Sequence, residues 1–187
     1  LAMDFFIQSL AIEDSLKLKQ ELVFTYAAIA RVFEEVGDYH KSAEFLEMAL
    51  ETNRPFNNVD NLAYLLNKLG KINMSRGRLE SALENFELVL EYKEDNTHQH
   101  AEANALFNMA HLYTMQGKYD QALEVHKRAL ALRRSVRDKS NEALSLNDIG
   151  ELYRLMKNDE KALANHLVAL EIRHALNDKE GIAASYN

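Results

Sequence analysis

Large apolar residues recur at steps of three and four along most of this chain, and the pattern itself returns every 40 residues. Leu66, Leu69 and Ile72 mark one stripe; Leu106, Met109 and Leu112, then Leu146, Ile149 and Leu152, repeat it. This spacing gives an amphipathic helix with one face turned to a core. Between the stripes, Gly37-Asp38-Tyr39, Gly77-Arg78-Leu79 and Gly117-Lys118-Tyr119 stand in register, and Asn158-Asp159 continues the series without its glycine. Leu10, Leu50, Leu90, Leu130 and Leu170 fall on the same grid. Glycine or asparagine closes a helix in a left-handed conformation at low cost. Each period therefore reads as two helices around a tight turn. A fixed period of this length is the signature of a solenoid, whose units bury their apolar faces against their neighbours.

The pattern predicts helices over 3–17, 19–36, 39–53, 59–76, 79–94, 98–116, 119–136, 140–156 and 159–176, with a further stub starting near 180. The units are 1–18 (a second helix only), 19–58, 59–97, 98–138, 139–178 and 179–187 (the start of another first helix). Asp4 to Leu16 matches a second helix without its partner, and Ser185-Tyr186-Asn187 opens a first helix. The expectation is one array, 1–187, truncated at both ends. Pro55 should end the preceding helix by forcing Arg54 out of helical geometry. Ala30, Gly70, Ala110 and Gly150 share one grid position in the first helices. Sixteen residues later come Leu46, Phe86, His126 and His166, with Phe6 one period earlier. Large facing small lets two helices approach closely, since a larger side chain would overpack the contact.

Composition supports this reading. Hydrophobic residues make up 47% of the 187, enough for a packed core, and one proline with six glycines leaves helices uninterrupted. There is no cysteine, which removes disulfides and thiolate metal sites. A net charge of −7 disfavours nucleic acid, whose phosphates need a basic face. No apolar run approaches the ~20 residues of a membrane span. No signal peptide is visible, and a cytoplasmic location is expected, although a cut N-terminus would hide such a segment.

The repeat resembles the tetratricopeptide family. Leu106, Ala110, Tyr113, Ala122, His126 and Ala129 fill its signature slots, and Leu146, Gly150, Tyr153, Ala162, His166 and Ala169 fill them again. There are two departures. The period is 40 rather than 34, as in the subclass found in bacterial signalling proteins and in cell-polarity and motor-associated adaptors. The aromatic slots hold Asn73 in one unit and histidine in two others. The resemblance implies an all-α, right-handed superhelical solenoid of antiparallel helix pairs with first helices lining a concave groove. By position, the implied groove residues are Phe24, Arg31, Tyr64, Asn67, Lys68, Lys71, Asn104, Phe107, Asn108, His111, Asn147, Asp148, Glu151 and Arg154. Asparagine offers both a donor and an acceptor to a peptide backbone. Phe24, Tyr64 and Phe107 would anchor apolar side chains. Arg31, Lys68 and Lys71 would make one end basic, and Asp148 and Glu151 the other acidic. The same residues also suit ordinary solvated helix faces. The family's lysine–asparagine–arginine clamp for a terminal carboxylate is not reproduced, because Ala27, Arg31 and Lys68 occupy its positions.

Other signals are weaker. His98 and His100 stand two apart near Glu102, and residues two apart on a helix point to different sides. His126 and His166 lie one repeat apart, too far to share an ion, and each reads as a packing histidine. No metal site or cofactor is expected. Arg133, Arg134, Arg137 and Lys139 read as cations complementing a helix C-terminus. Glu34-Glu35 and Glu91-Glu94-Asp95 read as solvated charge. No phosphate loop, nucleophile elbow or metal motif is present, so no catalytic residue is assigned and no enzymatic role is expected of this segment.

The leading expectation is a non-catalytic scaffold binding a protein or peptide with an acidic segment, without nucleic-acid or membrane partners. One alternative is a sensory segment of a larger bacterial signalling protein, attached to a kinase, a cyclic-dinucleotide enzyme or a transcription regulator. The other is self-association, a weak homodimer through apolar faces at the truncated ends.

Overall fold

The computed structural model describes residue 8 and residues 19–56, 58–91 and 98–185. Apart from residue 8, the first expected helix, with Phe6 and Leu10, lies outside the described residues, as do Asn57, Glu94, Asp95, Tyr186 and Asn187. The described elements are α1 (Lys19–Glu35), α2 (Tyr39–Asn53), a 3₁₀ turn (Arg54–Phe56), α3 (Val59–Ser75), α4 (Leu79–Glu91), α5 (Gln99–Met115), α6 (Tyr119–Ser135), α7 (Lys139–Leu155), α8 (Asp159–Ala175) and α9 (Lys179–Ser185). Among the described residues there is no strand, and no helix is long and apolar enough to cross a membrane. The fold is an all-α helical-repeat solenoid class.

The chain forms two compact units, residues 1–94 and 95–187. In the first, α1 pairs with α2 and α3 with α4, and α2 packs on α3. Val23, Ala30, Leu46, Ala49, Leu65, Leu69 and Ile72 form its core, with Tyr26, Phe45 and Leu50 packed against them. In the second, α5 pairs with α6 and α7 with α8, α6 packs on α7, and α9 rests on α8. Leu130, Ala143, Leu146, Ile149 and Ala169 are its centre, flanked by Leu123, Tyr153 and Ile172. These are the positions the three- and four-residue stripes predict.

The turns show why the grid tolerates some changes. Gly37, Gly77 and Gly117 carry φ of 79°, 73° and 73°. Each closes a first helix with paired backbone bonds: Gly77 N–H to Met74 and Arg78 N–H to Asn73, at 2.9 and 2.8 Å. In the fourth repeat the left-handed residue is not Asn158, as expected, but Lys157, at φ 58°. Asn158 is the residue after it. Its side chain caps α8, accepting from Lys161 N–H at 3.2 Å. The grid places Lys157 where the other repeats have glycine, and the backbone keeps its turn despite the side chain.

Arg54 also departs from expectation. It keeps helical angles (φ −50°, ψ −45°) before Pro55. The chain tightens into the 3₁₀ turn there, and the ladder ends because proline offers no N–H.

Candidate peptide-binding faces of the first helices

Within the first unit, the expected groove positions of α1 and α3 share a face. Phe24 and Tyr64 occupy equivalent places one repeat apart and are 62% and 50% exposed. Seven residues further along each helix come the exposed Arg31 and Lys71. Positions i, i+4 and i+7 lie on one side of a helix, so Tyr64, Lys68 and Lys71 form a single stripe. Lys68 Nζ stands 3.9 Å from Glu34 Oε2, which shows α1 and α3 meeting along this side. Asn67 is buried at 9% exposure and belongs to the core edge rather than the open face.

In the second unit the corresponding residues are drawn together differently. Asn104 is exposed, and its Oδ1 accepts from Arg133 Nη2 at 3.3 Å. Asn147 Oδ1 lies 3.2 Å from His166 Nδ1. Asn108 is half-buried. Phe107 is half-buried beneath a cluster: Arg133 lies over its ring at 4.2 Å, and the His111 and His126 rings stand at 4.6 and 5.5 Å. Asp148 Oδ2 is 2.9 Å from His111 Nε2, and Arg154 Nε donates to Glu151 Oε2 at 2.8 Å. Asp148 and Glu151 thus both have partners within the protein, and two of the four asparagines have their oxygens engaged there.

Two groups lie deeper than the sequence reading placed them. Arg133, read as a surface cation, is only 2% exposed. Its Nη1 donates to Asn141 O at 3.0 Å and to Ser145 Oγ at 2.5 Å. One repeat on, Arg173 Nη1 donates to Gly181 O at 3.1 Å, and two repeats back Asn53 Nδ2 donates to Asn58 O at 2.9 Å. A buried polar side chain at this grid position therefore ties the end of a second helix to a backbone carbonyl at the start of the next first helix. Burial holds the Arg133 guanidinium down to about 10, against the pull of Asp138 and Asp148. The Arg–Asn alternation at 53, 133 and 173 was readable in the sequence as a polar residue recurring at a core phase. Its neighbours Arg134 and Lys139 both donate to the buried Glu142, at 2.8 and 2.7 Å.

The second group is His126. It is 2% exposed, fuller burial than a half-packed slot. Burial lowers its pKa to about 4, helped by the charges of His111 and Arg133 and opposed by Asp148. The imidazole is therefore neutral near neutral pH. Its neighbours are His111 and Asp148. His100, set aside beside His98, has Nδ1 3.4 Å from Asp138 Oδ2.

Two sequence profiles of the tetratricopeptide repeat match the chain, one over residues 60–135 and 101–175 and one over 25–59. The chain belongs to the tetratricopeptide repeat family, whose arrays are typically protein-binding scaffolds without catalysis of their own. No curated protein sequence matches it. Among solved structures, BtubC (BKLC) from P. vanneervenii is similar with 26% identity and a TM-score of 0.72, over 83% of this chain and 64% of that one. Aspartyl phosphate phosphatase F from Bacillus subtilis is similar with 14% identity and a TM-score of 0.89, over 98% and 48%. The Rap conjugation gene regulator of the plasmid pLS20, solved in complex with the Phr* peptide, is similar with 16% identity and a TM-score of 0.78, over 89% and 46%. The chain thus spans about half to two thirds of these chains.

Proposed function

We propose that this segment is a non-catalytic recognition scaffold that binds a protein or peptide carrying an acidic stretch, seated on the first-helix face of α1 and α3. One observation carries the reading. Phe24 and Tyr64 project from equivalent exposed positions, each followed on the same face by a cation, Arg31 or Lys71. Exposed aromatics beside arginine or lysine are the composition of a contact surface, where flat rings supply buried area and cations choose the partner's charge. The second unit lends less to an acidic partner, because Asp148 and Glu151 lie on its corresponding face. The asparagines support backbone recognition mainly through Asn108 and through the amide groups that Asn104 and Asn147 leave for a partner.

The test is a Lys68→Glu/Lys71→Glu double variant measured against an acidic peptide selected for binding to the native chain. The proposal expects affinity to fall by at least about tenfold, since one reversed rim charge already costs around a kcal/mol and changes the association rate. Unchanged affinity would exclude this face. A second reading is a sensory segment of a larger regulator. It draws on the likeness to the Rap regulator solved with a peptide, and to a signal transduction ATPase of Pyrococcus horikoshii with a tetratricopeptide repeat sensor (18% identity, TM-score 0.73, 96% of this chain and 29% of that one). A change in scattering radius on peptide binding would favour it; an unchanged radius would count against it.

A further inference from the structure

Three side chains from three successive helices converge in the second unit: His111 on α5, His126 on α6 and Asp148 on α7. Each presents one ligand atom, a ring nitrogen or a carboxylate oxygen, and the three atoms lie within 4.8 Å of one another. Among the described residues this is the one such convergence of three metal-ligating groups. The His111 and His126 rings stand 5.5 Å apart in a T-shaped arrangement at 80°. We propose that His111, His126 and Asp148 bind one divalent transition-metal ion of the zinc class.

The ligand chemistry selects the ion. Two imidazoles with one carboxylate suit zinc, cobalt or nickel, whereas magnesium and calcium require oxygen ligands. Around a tetrahedral ion with bonds of about 2.0–2.1 Å, ligand atoms stand roughly 3.4 Å apart. From separations of up to 4.8 Å, the ligand atoms need close by no more than about 1.4 Å. His111, 43% exposed, can make that adjustment by a small rotation, and its contact with Asp148 is already 2.9 Å. One of the ligands is held firmly. His126 is 2% exposed, and its Nδ1 is buried without a hydrogen-bond partner. A buried polar atom in that state is suited to accept a ligand. The exposure of His111 leaves a fourth position open to water.

Arg133 opposes the ion. Its charge acts on both His126 and Asp148. The guanidinium is held by Asn104, Ser145 and the Asn141 carbonyl, and Asp138 acts on it favourably. Affinity should therefore be below that of a closed structural zinc site. The inference does not rest on the peptide reading, although His111 and Asp148 belong to the same face.

The test uses the metal alone. The chain, stripped with a chelator and free of any affinity tag, is titrated with Co²⁺ by visible absorption and with Zn²⁺ by calorimetry. One equivalent should bind, with cobalt bands of low-symmetry, mixed nitrogen and oxygen ligation. His111→Ala and Asp148→Asn, at positions whose side chains are 43% and 17% exposed and checked for native helicity, should each lower affinity at least about tenfold. Weakening in either variant supports the site. No saturable binding, or binding unchanged in both variants, would overturn it. Retention by a His98→Ala/His100→Ala variant is expected, and loss of binding there alone would assign the ion to the surface and overturn the proposal.

Discussion

Replacing Gly70 by alanine should destabilise the first unit, although alanine is the better helix former. A methyl group on Gly70 would lie 2.7 Å from Phe86 Cζ and 2.9 Å from Cδ1, with Cε1 closer still. Ordinary contact is about 3.5–4.0 Å. Phe86 is fully buried and has no room to swing aside. Overpacking of this kind costs about 1–3 kcal/mol, and the propensity gain from glycine to alanine returns about 1 kcal/mol. The net loss should be about 1 kcal/mol. The chain itself supplies the control: in the preceding repeat the small position is Ala30, and the large residue in the facing place is Leu46, both in the core. Phe86→Leu alone should cost about 1–2 kcal/mol, as a large-to-small core change. The double variant should be less destabilised than the two singles summed, by at least about 1 kcal/mol of coupling. Urea unfolding followed by circular dichroism measures this, with hydrogen exchange of α3 and α4 locating the effect. A Gly70→Ala variant as stable as the native chain, with an additive cycle, would refute the packing argument.

Lys157→Gly should stabilise the chain by about 0.5–1 kcal/mol, because lysine holds a left-handed φ of 58° where the first three repeats use glycine; thermal unfolding reads the change. Acid should destabilise the second unit before its carboxylates titrate. His126 has a folded pKa of about 4 against about 6.5 unfolded, so between these values the unfolded chain binds the extra proton. Stability is then full above pH ~6.5 and falls as pH drops towards 4, by up to about 3 kcal/mol. Urea midpoints across that window, taken with a chelator present, should fall for the native chain and stay flat for His126→Phe; parallel curves would contradict the burial account.

Much of the fold was legible because the repeat states it several times. The stripe Leu66, Leu69, Ile72 and its copies set the helices, and the facing pair at the small position set the packing. The turn register was legible only where glycine marked it. Lys157 takes the same backbone without a residue type that advertises it, so attention fell on Asn158. The site was harder to read. Spacing placed Phe24, Tyr64, Arg31 and Lys71 on one face, but it says nothing about which polar residues turn inward. Arg133 reads as surface charge because arginine seldom lies at 2% exposure. Its recurrence at Arg173, with Asn53 in the same phase, was the available signal. His126, His111 and Asp148 are brought together by three helices, a juxtaposition no linear spacing displays.

The most direct test of the account is selection of peptides from a random display library on the native chain, followed by binding to the Lys68→Glu/Lys71→Glu variant. The account predicts enrichment of acidic peptides whose binding the variant loses, with Phe24→Ser and Tyr64→Ser weakening it further. Selected peptides that bind the variant as well as the native chain, or no enrichment at all, would contradict the assignment of α1 and α3 as the recognition face.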